Sequence, residues 1–394
     1  MFRKTMVIGF CAALAGGCAT MERPANLDTS QYAPQQQVEH SNSAPRCISG
    51  ALPSSSLPHR QIASEVLIRK PDLLSSGDRI QLKIAGDEES LSRIYVLAGN
   101  GSVTLDGRHS ISLVGLSIVE AEQTISRTLV ANGLIRGLRG SVRLQLLELG
   151  GVSVAVNGAV FQPGMVRVGQ RSAELRGVHL DNNNSGDRNI TRSLTAAIRA
   201  AGGVRPDADL SAVYVVSGNS WSRVDLTGAI DGDLIDDISL SSNDRIIVGS
   251  TNCFQSELVK PSRVTAPGIR VFMSNLSRPA ASNASSSIGR ETTSLPYGTR
   301  LSQAMVSANC VGGSAMNAAR KVVLMSRNPI NGQSVVIQRS VEKLVRQDNR
   351  DQRDPYLMPG DSLACYDSFA MNVRDVISLV GETASPYFLL KNVD

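Results

Sequence analysis

From about residue 60 onward, short runs of alternating apolar and polar residues predict β-strands. Three early runs cover residues 80–84, 103–105 and 142–146. An alternation of period two places apolar side chains on one face of a strand, where they can pack against a core. Glycine, asparagine and proline separate the runs, so the strands are expected to be short.

Helical spacing appears between the strands at three places. Ser117 and Glu120 form a capping-box pattern ahead of a helix expected to run to about Ala131. Two further stretches carry apolar residues at helical spacing and end in glycine pairs, which would supply a left-handed cap. These stretches are residues 194–203, ending in Gly202 and Gly203, and residues 301–313, ending in Gly312 and Gly313. A strand is predicted after each, over 212–216 and 321–325.

A short turn motif recurs three times along the chain. A turn containing Gly or Asn precedes an Asp, and a strand begins at once. The copies are residues 74–82 with Gly77 and Asp78, residues 240–248 with Asn243 and Asp244, and residues 358–365 with Gly360 and Asp361. We expect positive φ at the Gly or Asn, and an Asp that bonds its own backbone two residues later. The three Asp residues are therefore predicted to be structural rather than catalytic.

The repeats divide the chain into units and indicate an α+β fold. Alternating strands open two units at residues 151–158 and 268–275, and a Gln162-Pro163-Gly164 turn follows the first. The predicted architecture is three small mixed modules in series, over 61–150, 151–250 and 251–367. No module is long enough for an elaborate enzyme.

The N-terminus has the layout of an export signal over residues 1–17. Arg3 and Lys4 precede an apolar stretch over 6–15. Leu14-Ala15-Gly16-Gly17-Cys18 resembles the lipobox of bacterial lipoproteins, which implies diacylation of Cys18, with Leu14 displaced by one position. Ala19 after the cysteine implies sorting to the outer membrane. An ordinary secretory signal and a membrane anchor are the alternatives, although the apolar run is shorter than the ~20 residues of a spanning helix.

The segments that flank the modules differ in composition from them. Residues 18–60 are rich in Ser, Pro, Gln and Asn, which is typical of a lipidated tether. Residues 368–394 form a C-terminal amphipathic segment, in which apolar residues recur at helical spacing until Pro386. These residues are Val373, Val376, Ile377 and Val380. The alternative is that this helix packs on the preceding module.

Four cysteines remain once the signal is removed and Cys18 is acylated. An even number in an oxidising compartment permits two disulfides. Cys310 and Cys365 fall in one predicted module and are the preferred pair, which leaves Cys47 with Cys253. The other two pairings, and four buried thiols, stay open.

Charge and side-chain chemistry argue against several functions. Two of the 40 Lys and Arg residues lie in the signal, so 38 remain against 35 Asp and Glu, a net charge of +3 that argues against nucleic acid as a partner. His40, His59, His109 and His179 are scattered without metal-ligand spacing. Neither a phosphate-binding loop nor a nucleophile elbow is present. We therefore expect no metal, no cofactor and no enzymatic activity.

The modules resemble those of the outer-membrane polysaccharide export family. The Gly77-Asp78 turn, the Asn100-Gly101 hairpin and Gly115-Leu116-Ser117 ahead of a helix are similar to its export domain. Residues 151–250 and 251–367 resemble its SLBB domains, which are similar to the β-grasp fold. Their strand-then-Pro-Gly opening, their helix ending in Ala-Gly-Gly and their terminal Leu-x-x-x-Asp-x-Ile-x-Val match 152–164, 201–203 and 240–248. The second unit lacks the Pro-Gly pair, and a polar insert over 170–192 is another departure.

The resemblance implies a homo-oligomeric ring, commonly of eight copies, that conducts capsular polysaccharide or exopolysaccharide out of the cell. The implied partners are the polysaccharide as cargo, an inner-membrane polysaccharide co-polymerase or export transporter, and outer-membrane lipid. Most of the chain would lie in the periplasm. Two other functions stay open: a periplasmic SLBB adaptor or sugar-sensing lipoprotein that forms no pore, and an enzyme that processes glycans.

Overall fold

The computed structural model describes residues 57–68, 72–87, 90–138, 140–170, 191–275, 294–308, 310, 320–329, 332–346 and 353–366. Short strands in several small sheets, with few helices, make this an α+β protein, as the sequence predicts. The predicted signal peptide, Cys18, Cys47, Gly312, Gly313 and the C-terminal segment 368–394 lie outside the described residues.

The described chain begins with two short elements, β1 (Arg60–Gln61) and α1 (Ser64–Ile68). The boundary predicted from the sequence assigns β1 partly to the tether and α1 to the first module. In the structure, Leu67 of α1 instead packs into the hydrophobic core of the second module. This part of the chain therefore crosses the second module before the first module begins.

The described residues of the first module form five strands and one helix. They are β2 (Arg79–Ile84), β3 (Ile94–Val96), β4 (Ser102–Leu105), β5 (His109–Ser112), α2 (Ile118–Ala131) and β6 (Val142–Glu148). Antiparallel strands in the order β3-β2-β6 form one sheet, and β4 and β5 form a hairpin. Ser117 and Glu120 make the predicted capping box, and α2 buries Ala121, Ile125 and Leu129 against the sheet. Both the start and the end of this helix agree with the prediction.

The second module is built around a sheet of six strands. Its own elements are β7 (Val152–Gly158), β8 (Gly164–Val168), α3 (Leu194–Ala200), β9 (Ala208–Ser217), β10 (Ser220–Val224), α4 (Gly228–Asp231) and β11 (Arg245–Ser250). The strand order is β1-β10-β9-β11-β7-β8, so β1, which precedes the first module in the sequence, forms one edge of this sheet. The strand predicted over 212–216 is present but longer in the structure, where β9 covers Ala208–Ser217.

In its described residues, the third module contains six strands and two α-helices. They are β12 (Gly268–Arg270), β13 (Phe272–Asn275), β14 (Ser294–Pro296), α5 (Leu301–Ser307), β15 (Lys321–Arg327), β16 (Ser334–Ser340), α6 (Val341–Arg346) and β17 (Ser362–Tyr366). The single strand predicted over 268–275 is wrong, because the chain changes partners at Val271. Residues before it pair with β14, and residues after it pair in parallel with β17.

The second and third modules share one topology. In the second, β10-β9-β11-β7 are neighbours, with β11 parallel to β7 and antiparallel to β9. In the third, β16-β15-β17-β13 have the same order and the same directions. In each sheet, a short helix comes directly before the strand that lies second in this order: α3 before β9, and α5 before β15. The internal repeat seen in the sequence therefore corresponds to a repeated fold.

Gly203 allows the chain after α3 to approach the start of the third module. Its φ is +82°, and a Cβ on this residue would collide with the backbone of Thr265 and Ala266. The backbone N–H of Val204 donates to the Val264 oxygen beside it. Only a residue without a side chain permits this approach, which explains the second glycine of the Gly202-Gly203 pair.

Candidate functional site at the junction of the first two modules

The three recurrent turns have the same geometry in the structure. Gly77, Asn243 and Gly360 have φ values of +88°, +70° and +86°, so the predicted positive φ is confirmed. Each Asp carboxylate accepts a hydrogen bond from the backbone N–H three residues earlier: Ser75 to Asp78, Ser241 to Asp244 and Met358 to Asp361, at 2.7–2.8 Å. The prediction that the Asp bonds a residue two positions later is wrong. The reason is that the left-handed residue turns the chain back, which brings the earlier amide to the carboxylate.

Arg192 joins the turn of the first module to the turn of the second. Its guanidinium donates to the backbone oxygen of Leu240 at 2.6 Å and to that of Leu73 at 3.0 Å, and it lies 3.2 Å from Ser75 Oγ. Its Nη1 lies 3.7 Å from Asp78 Oδ1, and neither side chain is exposed. One buried arginine therefore holds two repeats of the same motif together.

Further polar contacts surround this arginine. Ser239 Oγ donates to the Asp72 carboxylate at 2.7 Å, and Ser242 Oγ lies 3.4 Å from Ser75 Oγ. The N–H of Gly150 donates to Asp78 Oδ1 at 2.5 Å. Because Asp72 and Asp78 belong to the first module and Ser239 and Ser242 to the second, the contacts fix the relative position of the two modules.

Burial and charge act in opposite directions on the two ionisable groups of the junction. Burial raises the pKa of Asp78, while the amides of Ser75 and Gly150 and the charge of Arg192 oppose that rise. Loss of solvation lowers the pKa of Arg192, while nearby carboxylates including Asp78 raise it. Burying a charged pair of this kind costs desolvation energy, which its hydrogen bonds and ionic contact offset. Its clearest effect is therefore to specify one arrangement of the first two modules.

Asp361 occupies the equivalent position in the third module, with different partners. Its Oδ1 accepts from Ser326 Oγ at 2.6 Å, and its Oδ2 accepts from the Met358 N–H. Burial raises its pKa to about 7, against the lowering effect of these two bonds. In this copy of the motif, burial outweighs the two hydrogen bonds, so the pKa of the Asp lies well above its ordinary value.

The sequence does not identify Arg192 as a functional residue. It stands at the end of the polar insert, directly before Ser193, whose side chain caps α3. An arginine beside a helix cap is usually exposed, and only the placement of the first module over this position buries it. Because Arg192 lies at the end of a polar segment, its sequence context does not predict that it is buried at the centre of the junction.

The structure joins Cys310 to Cys365, which is the pair favoured by the sequence, with a Cα–Cα distance of 6.0 Å. Both lie in the core of the third module. Cys253 is also disulfide-bonded. Cys47, its predicted partner, and Cys18, the predicted acylation site, lie outside the described residues.

The remaining acidic residues and histidines of the described chain lie apart from the junction. In that part, no three His, Cys, Asp or Glu residues are placed to hold a metal ion. Asp237 accepts hydrogen bonds from Thr195 N and Oγ1, so it helps to cap α3. His59 lies just before β1 and His109 in β5. Among the described helices, none is long and apolar enough to cross a membrane.

No protein-family model matches the chain, and comparison with curated proteins finds no match either.

Proposed function

We propose that this protein is an outer-membrane lipoprotein whose copies assemble into a conduit for capsular polysaccharide or exopolysaccharide. The observation that carries the proposal is the repeated topology of two modules that follow a first module. The acylation signal predicted at Cys18 and the tether predicted after it support the same order of parts. The buried Arg192 contacts support it, because a wall built from modules in series needs each module held at one angle to the next.

The proposed mechanism is passive. A hydrophilic cavity enclosed by the ring would let a hydrated polymer pass, and an inner-membrane co-polymerase or export transporter would supply the energy. Tight sugar binding commonly uses exposed aromatic platforms, and this chain has only 4% aromatic residues. Its single tryptophan, Trp221, lies against Tyr214 with ring centroids 5.7 Å apart. Weak contact with a moving polymer suits this composition, and we assign no sugar-contacting residue.

Deletion of the gene tests the proposal directly. We expect surface polysaccharide to fall sharply while polymer synthesised inside the cell persists, and a plasmid copy to restore export. Unchanged surface polysaccharide in the deletion strain would refute the export function.

The assembly state is tested separately by extracting the protein in mild detergent and imaging single particles. Closed rings would support the conduit. Monomers at all concentrations would favour the alternative, a periplasmic adaptor or sugar-sensing lipoprotein built from the same modules.

A further inference from the structure

The four-stranded sheet of the third module has one covered face and one open face. Met273 of β13 and Leu324 of β15 belong to the hydrophobic core that residues of α5 and α6 complete. Side chains of successive residues in a strand point to opposite faces of a sheet. Phe272 and Met325, each next to one of these core residues, therefore lie on the other face, which we call the outer face.

The outer face carries a row of residues that pair across the sheet. The row consists of Phe272 on β13, Ser362 on β17, Met325 on β15 and Val336 on β16. The side chain of Phe272 is 65% exposed and that of Met325 is 46% exposed. Because Ser362 and Ala364 of β17 have small side chains, β17 forms the floor of a shallow apolar groove between these two large side chains.

The equivalent row of the second module differs in composition and exposure. It consists of Ala155 on β7, Arg245 on β11, Val216 on β9 and Trp221 on β10. Arg245 follows the Asp of the recurrent turn, as Ser362 does in the third module, and it is exposed, whereas Val216 is only 3% exposed. The shared topology therefore does not require exposed apolar residues here, and their presence in the third module indicates a surface that something else covers.

The segment that follows β17 is placed to cover this groove. β17 lies between β13 and β15, and it ends at Tyr366. From Tyr366 the exposed row lies about 13 Å back along the strand. Residues 367–372 can span up to about 20 Å, and a helix from Val373 to Val380 is about 10 Å long. The chain can therefore turn back and lay such a helix along the groove, antiparallel to β17.

The sequence of this segment also suits the groove better than the other stretches that adjoin the module outside the described residues. Residues 276–293 are rich in Ser, residues 311–319 consist mainly of Gly, Ala and other small or polar residues, and residues 347–352 are all polar. Residues 373–380 instead repeat Val and Ile at helical spacing, which places these side chains on one side of a helix.

We propose that residues 368–394 fold back over the third module and that the apolar side of a helix over 373–380 packs in the groove, against Phe272 and Met325. The sheet then has a covering layer on both faces, as sheets with two apolar faces require. This selects one of the two interpretations of the C-terminal segment, and it leaves attachment to the membrane to the acyl chains proposed on Cys18. The inference goes beyond the export function and does not depend on it.

Cross-linking in the purified full-length protein tests the contact. In Met325→Cys combined with Ile377→Cys, a short bifunctional thiol reagent should join the two residues within one chain, seen as a linked peptide pair from the monomer band of a denaturing gel. The native cysteines among the described residues are disulfide-bonded, so they do not compete for the reagent.

Two controls accompany this pair. Met325→Cys combined with Ser378→Cys should cross-link about tenfold less, because residue 378 lies on the opposite side of the predicted helix. A mixture of the Met325→Cys and Ile377→Cys single variants detects contact between copies. Equal yields from the two pairs, or linkage found only between copies in the mixture, would overturn the proposal.

Limited proteolysis gives a second measurement that needs no added cysteine. Phe272→Asp combined with Met325→Asp should speed tryptic cleavage after Arg374 about tenfold or more, because the apolar stripe cannot pack on two unpaired charges. Val306→Asp places the same charge on a residue of α5 that is 63% exposed, and it should keep the wild-type rate. Unchanged cleavage in the Phe272→Asp and Met325→Asp variant would show that the segment does not lie on this face.

Discussion

At the scale of single residues, Arg192 holds the first two modules together, a structural role that its local sequence does not predict. Its side chain contacts backbone oxygens in two modules and lies beside a buried carboxylate. Removing one partner of such a pair leaves the other charge buried and uncompensated, which is much costlier than never having buried the pair.

We therefore predict that Arg192→Ala lowers the free energy of unfolding by about 3–5 kcal/mol. Arg199→Ala, which removes an exposed arginine from α3, should change it by less than about 1 kcal/mol. Guanidinium denaturation of both variants measures the difference. Equal stability of the two variants would show that the junction contributes nothing.

Asp361 predicts a pH dependence whose sign follows from its pKa. Its folded-state pKa of about 7 lies above the ordinary 3.8, so near neutral pH the folded protein retains a proton that the unfolded chain releases. The contribution of this group to stability is complete below about pH 4 and is lost as the pH rises toward 7. Between about pH 5 and about pH 7.5 the loss is on the order of 2 kcal/mol.

Denaturation of the wild type, Asp361→Asn and Asp106→Asn at both pH values measures this dependence. Asp361→Asn should remove the loss, since asparagine does not titrate. Asp106→Asn, which neutralises an exposed Asp in the first module, should retain it. A wild-type pH dependence that survives in Asp361→Asn would place its origin in another group.

At the scale of elements, the end of α3 combines local and long-range requirements. The sequence predicts that glycines end this helix, and Gly202 and Gly203 both have positive φ. The glycine pattern does not show that the backbone at Thr265 and Ala266 lies against Gly203. That neighbour is distant in the sequence, and only the docking of the third module brings it close.

Gly203→Ala and Gly218→Ala separate the effect of a positive φ from the effect of close backbone contact. Both residues have positive φ, but a Cβ at Gly218 meets nothing within 4 Å. Gly218→Ala should cost about 1 kcal/mol of unfolding free energy, from the left-handed backbone alone. Gly203→Ala should cost about 2 kcal/mol more, because its methyl group meets backbone that cannot rotate away. Equal losses in thermal or chemical denaturation would remove the argument for close docking.

At the scale of the whole molecule, cell fractionation tests whether acyl chains on Cys18 attach the protein to the outer membrane. Cys18→Ser should shift the protein from the outer-membrane fraction to the soluble periplasmic fraction, because the acyl chains supply the attachment. Cys253→Ser keeps the proposed acylation site and serves as the control that should remain in the membrane fraction. Unchanged fractionation of Cys18→Ser would indicate that another part of the chain anchors the protein.

The sequence by itself determined the features that depend on neighbouring residues. Alternation predicts strands, Ser117 and Glu120 predict the start of α2, and the repeated turns predict positive φ at Gly77, Asn243 and Gly360. Each of these follows from steric and hydrogen-bonding rules that act within a few residues. The α+β class follows in turn, because short strands and short helices alternate along the chain.

Only the tertiary structure decided which distant groups meet. The partner change at Val271, the docking of β1 on β10 and the burial of Arg192 all depend on residues far apart in the sequence. The reason is physical: burial and pairing energies arise from three-dimensional proximity, and a polar residue has the same local pattern whether a later module covers it or leaves it in water.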